Sequence, residues 1–93
     1  MELGAFPGGD LIRQGLEDLA TGRESAAALL VLIGAPRLHR LGLRPPADVA
    51  GAGTPEHRLY HLLSRSGPDS AHSRYNALIR RLVRFERAAE CAA

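Results

Sequence analysis

Hydrophobic and polar positions alternate most regularly over residues 68–93, where their spacing predicts one long amphipathic helix. At about 100° per residue, seven apolar side chains fall within about 160° of a helical wheel. These are Tyr75, Leu78, Ile79, Leu82, Val83, Phe85 and Ala89. Five arginines occupy the rest of the wheel: Arg74, Arg80, Arg81, Arg84 and Arg87. The pattern therefore predicts a helix with one buried apolar side and one hydrated cationic side.

Two shorter helices are predicted in the first third of the chain. The first begins after Gly9 with Asp10 as its N-cap, because apolar residues then recur at helical spacing. Residues 21–24, of sequence TGRE, have the form of a capping box and predict the start of the second helix. Its body, residues 25–33, is apolar on all sides, which predicts a central helix surrounded by the others. A buried strand over residues 30–33 is the alternative, and the preceding alanines favour a helix.

Glycine and proline mark the ends of a short third helix. Gly34 ends the second helix, and the third runs from Pro36 to Leu41 before Gly42 closes it. Its inward residues are predicted to be Leu38, Leu41 and Leu43.

A fourth helix is predicted to begin at the Thr54 cap, with Pro55 in its first position, and to run to about Ser66. Its buried residues are predicted to be Leu59, Leu62 and Leu63. Residues 1–9 read as an irregular arm from which Leu3 and Phe6 can pack on the core, and residues 44–53 as a loop. The sequence thus predicts an all-α fold, a small single-domain bundle of four to five helices over residues 1–93.

Size and composition limit the classes of protein. A chain of 93 residues buries only about 60–65% of its unfolded surface, so another surface is expected to add stability. The longest apolar run, residues 26–33, is far shorter than the roughly 20 residues that cross a bilayer. No basic segment precedes an apolar one near Met1, so no secretory signal is expected. We therefore expect a soluble cytoplasmic protein with no membrane partner, in which the lone Cys91 is incidental.

The charge is unevenly distributed along the chain. All 12 basic residues are arginine, which a coding bias explains more simply than a guanidinium-specific role. Residues 1–36 hold two arginines against five acids, whereas residues 37–93 hold ten arginines against five acids. This asymmetry indicates either a basic surface for an acidic partner or complementary elements within one fold or across a dimer, and internal complementarity is the simpler interpretation.

Two histidines raise the question of a metal site. His57 and His61 lie four residues apart on the fourth helix, a spacing that lets two imidazoles reach one metal ion. Both fall opposite the leucines of that helix, with Arg58 and Arg65 beside them, so a cation there would meet repulsion and bulk water. Solvated surface histidines are therefore the favoured interpretation, and metal binding is an alternative.

The arginine side of the last helix raises the question of nucleic-acid binding. Arg80, Arg84 and Arg87 recur at a spacing that would let each contact a backbone phosphate. A solvated surface has the same pattern. Residues 33–41 resemble a helix-turn-helix only loosely, because Arg40 stands where an apolar residue is needed. Aromatic residues do not alternate with the arginines, so binding of single-stranded RNA by stacking is not indicated.

Glu86 departs from the amphipathic pattern, because it falls inside the apolar arc of the last helix, with Glu90 on the same side. No arginine lies three or four residues away from Glu86, so a cationic partner must come from another element. Arg37, Arg40 and Arg44 are the candidates. The alternative is that the helix frays after Phe85 and both carboxylates are hydrated. If the pair is buried, removing the acid alone would leave an unpaired charge and cost about 3–5 kcal/mol.

No nucleophile stands beside a base, and no glycine-rich turn follows a strand, so neither catalytic nor cofactor-binding residues are predicted. We expect a non-catalytic protein-interaction module that self-associates as a homodimer through its last helix. Nucleic-acid backbone binding through the arginine side is the first alternative, and metal binding at His57 and His61 is the second.

Overall fold

The computed structural model describes residues 3–43 and 54–92, which form an all-α fold with no strand among them. The α-helices are α1 (Gly9–Ala20), α2 (Ala26–Ile33), α3 (Ala35–Arg40), α4 (Pro55–Ser66) and α5 (Ala71–Ala92). Single 3₁₀ turns occur at Leu3–Ala5 and Pro68–Ser70. The loop predicted over residues 44–53 lies outside the described residues.

The central position predicted for α2 is confirmed. Its residues 27–31 are between 0% and 7% exposed. The helix packs against α1, α3, α4 and α5. Because α2 has no polar face, burial on all sides is the arrangement that removes its aliphatic surface from water.

α1 approaches α2 closely at Gly15. A Cβ atom at this glycine would overlap the carbonyl oxygen of Ala27 and lie 2.5 Å from Val31 Cγ2. Only a residue without a side chain lets the two helices cross at this separation. Ile12, one turn earlier on α1, is fully buried in the same interface.

Replacement of Gly15 by alanine has two opposite effects on the free energy of unfolding. Helix propensity alone would stabilise the protein by about 1 kcal/mol. We expect a loss of about 1–3 kcal/mol or more in the free energy of unfolding, because the added methyl group forces the two backbones apart. Urea denaturation of Gly15→Ala measures the change, with Ser73→Ala on the exposed side of α5 as the control. A stabilised Gly15→Ala protein would contradict the close crossing.

The connection between α1 and α2 differs from the predicted capping box. The N-cap of α2 is Ser25, whose Oγ accepts a hydrogen bond from the N–H of Ala28 at 3.1 Å. Thr21 instead ends α1 and donates its hydroxyl to the carbonyl of Asp18. Glu24 forms an ion pair with Arg58 of α4. The prediction was wrong because Glu24 pairs with a cation on a distant element, the Thr21 hydroxyl bonds back to α1, and Ser25 caps α2 in their place.

Asp18 is the buried carboxylate of this connection. It accepts hydrogen bonds from Ser25 Oγ at 2.5 Å and from Gln14 Nε2 at 3.0 Å. The bond from Ser25 is the main reason that the pKa of Asp18 lies below its ordinary value. The ionised carboxylate thus holds the start of α2 against the end of α1, and this contribution is lost as the pH falls through the lowered pKa.

Residues 3–9 are more regular than predicted. Leu3–Ala5 forms a 3₁₀ turn, and α1 begins at Gly9, so the prediction that Asp10 is its N-cap was wrong. The residue before α1 is Gly8, which has a positive φ of 75°. The Phe6 ring packs edge-on against Phe85 of α5, with centroids 5.9 Å apart, as part of the expected packing of this arm on the core.

The boundaries of α3 and α4 lie close to those predicted. Gly34 is both the C-cap of α2 and the N-cap of α3, which starts one residue before Pro36. The Thr54 cap of α4 is confirmed, since its hydroxyl accepts a hydrogen bond from the N–H of His57 at 3.2 Å. The leucines predicted to face inward do so: Leu38, Leu59 and Leu63 are buried, and Leu41, Leu43 and Leu62 are half-buried against the core.

The long amphipathic C-terminal helix is confirmed. After the turn at Pro68–Ser70, α5 continues over 22 residues, which corresponds to about 33 Å. Its buried residues include Leu82, Phe85 and Ala89. Its half-buried apolar residues are Tyr75, Leu78, Ile79 and Val83. Neither α5 nor any other helix of residues 3–43 and 54–92 is both long and apolar enough to cross a membrane.

Candidate functional site

A groove between α3 and α5 is one of the concave surfaces of the described residues. We call it the α3–α5 groove. Its volume is about 310 Å³, and it is open to solvent. Its apolar lining consists of Ile33, Pro36, Ile79, Leu82 and Val83, and its charged lining of Arg37, Arg40 and Glu86. Gly34 completes the lining at the junction of α2 and α3.

The groove exists because the chain turns closely over α5 at Gly34. A Cβ atom at this position would lie 2.9 Å from Leu82 Cδ1 and 3.0 Å from Glu86 Oε2. From this glycine, α3 extends for only six residues. Such a short helix does not cover the apolar side of α5 completely, and Ile79 and Val83 stay half-exposed at the edge of the groove.

Glu86 lies at the base of the groove and is only 4% exposed. Arg37 of α3, one of the three candidate partners, donates from Nη1 to Glu86 Oε1 at 3.2 Å. Burial raises the pKa of Glu86, the Arg37 charge partly offsets this effect, and the neighbouring Glu90 adds to it. The carboxylate that departs from the amphipathic pattern is thus a buried, paired group.

The same guanidinium also binds Glu90 in a two-pronged arrangement. Arg37 Nε donates to Glu90 Oε2 at 2.7 Å, and Nη2 donates to Oε1 at 2.6 Å. These bonds lower the pKa of Glu90 and raise that of Arg37. One arginine of α3 therefore holds two carboxylates that lie one turn apart on α5.

This geometry corrects the expected cost of removing Glu86 alone. Arg37 keeps both bonds to Glu90, and its side chain is 34% exposed. Loss of Glu86 therefore leaves no buried, unpaired cation. The opposite deletion is the damaging one, because without Arg37 the buried Glu86 loses the cation that hydrogen bonds to it.

A comparison of two variants tests this asymmetry. At pH 7 we expect Glu86→Gln to be at least as stable as the wild type, because a raised native pKa means that ionised Glu86 opposes folding. Arg37→Ala should be less stable than both. As the pH falls to about 4, the difference between Arg37→Ala and the wild type should shrink, because Glu86, whose pKa is raised, takes up a proton and no longer needs a cation. The part of the difference that comes from Glu90, whose pKa is lowered, should be lost only at a still lower pH.

Urea denaturation at both pH values measures these differences, with Arg65→Ala on the exposed surface of α4 as the control. A destabilisation of Arg37→Ala that is the same at pH 4 and pH 7 would contradict the electrostatic explanation.

All five arginines predicted as interaction residues on α5 are exposed. Arg81 Nη2 lies 3.8 Å from Asp10 Oδ1, and Arg74 donates to Ser66 Oγ at 3.1 Å. The other three, Arg80, Arg84 and Arg87, form no ion pair within the described residues, and we call them the arginine stripe. The stripe is a hydrated cationic surface along one side of α5.

The two histidines considered as metal ligands are exposed on α4. They border a second concave surface of about 260 Å³ that is also lined by Glu24, Arg58, Leu62 and Arg65. The described part of the chain contains no group of three or more histidine, cysteine or acidic side chains arranged to hold a metal ion. Glu24 is paired with Arg58, so the alternative of metal binding at His57 and His61 gains no support here.

Comparisons with family models, with curated proteins and with solved structures found no match to this chain. The function is therefore argued from the geometry of its own residues. The sequence pattern does not predict the α3–α5 groove, although two features of it point in this direction: Glu86 has no cationic partner on its own helix, and the predicted third helix is much shorter than the last one.

Proposed function

We propose that this protein is a non-catalytic protein-interaction module whose binding surface is the α3–α5 groove. The observation that carries this proposal is the groove itself, an apolar concavity with charged residues at its base and along its border. When a partner covers half-exposed aliphatic residues at a concave site, it removes their apolar surface from water, and this favours the complex. Because α3 is short, the apolar residues of the groove stay partly exposed on a domain that is small and buries a limited fraction of its surface.

The groove has the composition of a protein-binding surface. Ile79 and Val83 are one turn apart on α5 and line the same concavity as Ile33 and Pro36. Polar groups are also present but already satisfied, since no described buried side-chain nitrogen or oxygen lacks a hydrogen-bond partner. A partner can therefore cover the apolar residues without leaving these buried groups unpaired.

Self-association is the form of interaction that the sequence predicts. Two copies meeting through this groove would bring their arginine stripes close together, and like charges at such a contact repel. Because salt screens this repulsion, a dimer formed through the groove should become stronger as the ionic strength rises.

Site-specific photocrosslinking tests the binding surface directly. Val83 is replaced by a photoreactive residue in the full chain, and the protein is expressed in its native cells. On irradiation, this residue should form a covalent product with a polypeptide. The same residue at Ala77, on the exposed side of α5, should form little or none. Mass spectrometry of the crosslinked peptide then distinguishes a second copy of this chain from a different protein.

The comparison between the two positions decides the outcome. Product formed at Val83 and not at Ala77 supports the groove as the binding surface. Equal yields at both positions, or no product at either, would overturn the proposal. Thermal unfolding of both labelled proteins verifies that each is folded.

The arginine stripe supports a second candidate function, binding to nucleic-acid backbones. Its three guanidinium groups are exposed and have no ion-pair partner among the described acids. They follow α5 over about 10 Å, a length at which several phosphates of one strand are within reach.

This candidate predicts a specific dependence on salt. If each stripe arginine contacts one phosphate of duplex DNA, log affinity should fall with log salt concentration with a slope of about −2.7. Replacing Arg80, Arg84 and Arg87 by alanine should remove most of this slope. Replacing Arg13, Arg23 and Arg65, which removes the same charge elsewhere, should leave it. No binding to mixed DNA and RNA at low salt, or equal losses in the two triple variants, would exclude the stripe as a nucleic-acid site.

A further inference from the structure

We infer that the α3–α5 groove takes an acidic amphipathic helix of a different protein. This inference rests on the proposed function and names the chemistry of the partner. It follows from three properties of the groove: the excess charge around it, its length along α5, and the position of its apolar residues relative to its arginines.

The border of the groove carries more positive than negative charge. Arg37 is occupied by Glu86 and Glu90. Arg40, which lines the groove from α3, forms no ion pair within the described residues, and neither do Arg80 and Arg87 of α5. We call these three arginines the rim arginines. Arg40 and Arg87 also attract Glu90 at longer range. Four guanidinium groups nevertheless face only two carboxylates here, so net positive charge is available to attract an anionic partner.

The rim arginines lie on both sides of the apolar lining. Arg40 is on the α3 side. On the α5 side, Arg80 and Arg87 lie three residues before and four residues after Val83, so all three residues share one side of the helix. A partner that inserts apolar side chains between α3 and α5 thus places its flanks beside guanidinium groups on both borders.

The length and surroundings of the groove favour a helical partner. Its lining on α5 runs from Ile79 to Glu86, which is two helical turns or about 10 Å. A helix that presents apolar residues at spacings of three and four fills a groove of this kind. The other common mode, addition of a strand to a sheet edge, has no template in residues 3–43 and 54–92, which contain no strand.

A second copy of the chain matches this partner poorly. Its acidic helix is α1, where Asp10 and Glu17 are exposed. The apolar side of α1 packs against α2 and the rest of the core, where Ile12 is buried and Leu11, Leu16 and Leu19 are half-buried. A folded copy therefore offers acidic groups on a helix whose apolar side chains already pack on its own core.

A set of three synthetic peptides tests the inference. Each is about 18 residues long, enough for partial helicity in isolation, and carries leucine at every third or fourth position. The flanking positions hold glutamate, glutamine or lysine. Fluorescence polarisation with the full-length protein at low salt should give the tightest binding for the glutamate peptide, about tenfold tighter than for the glutamine peptide.

Charge variants of the protein locate the effect. Arg40→Ala and Arg87→Ala should each weaken the glutamate peptide about threefold, whereas the matched control Arg65→Ala should not. Arg40→Glu combined with Arg87→Glu should reverse the order, so that the lysine peptide binds best. Val83→Asp should weaken every peptide, with circular dichroism verifying that the variants are folded.

The outcomes separate this inference from the function on which it rests. Equal binding of the three peptides, with Val83→Asp still weakening all of them, would overturn the acidic partner and leave the groove as a protein-binding surface. Binding of no peptide would also overturn the inference, while the crosslinking at Val83 tests the surface independently. A salt-strengthened homodimer that excludes the peptides would identify a second copy as the occupant and overturn it as well.

Discussion

The burial of α2 is the constraint on which the rest of the fold depends. Residues 27–31 are almost completely withdrawn from solvent, and they belong to a helix with no polar side. A helix of eight residues has little stability of its own in water, so it forms only because other elements surround it. The crossing at Gly15, the packing of α4 and the position of α5 are the means by which a short chain encloses it.

The end of α2 also determines where the groove lies. The chain turns at Gly34, where a side chain would meet Leu82 and Glu86, and continues directly into α3. This turn brings Arg37 of α3 within hydrogen-bond distance of Glu86 and Glu90 of α5. Because α3 is only six residues long, the apolar side of α5 stays partly open beyond it. The groove is thus a consequence of a tight turn followed by a short helix.

Electrostatic interactions fix how α3 is oriented on α5. Hydrophobic packing alone does not do so, since the hydrophobic effect has no preferred orientation. Desolvation of Glu86 outweighs its attraction to Arg37, so the ionised pair adds no net stability. Its geometrical effect is larger, because one planar guanidinium that binds carboxylates on successive turns of α5 fixes the orientation of α3. The rim arginines surround this cluster with an excess of positive charge, part of which acts on Glu90.

The sequence by itself determined the all-α class, the central α2, the cap at Thr54 and the amphipathic α5, because each depends on local spacing or capping within a few residues. It also identified Glu86 as a carboxylate in need of a cation and named Arg37 among the candidates. Only the tertiary structure decided that Arg37 is the partner, that Glu24 pairs with Arg58 instead of capping α2, and that a groove opens beside α3. These features depend on contacts between residues 34 to 53 positions apart, and local periodicity carries no information about which distant surfaces meet.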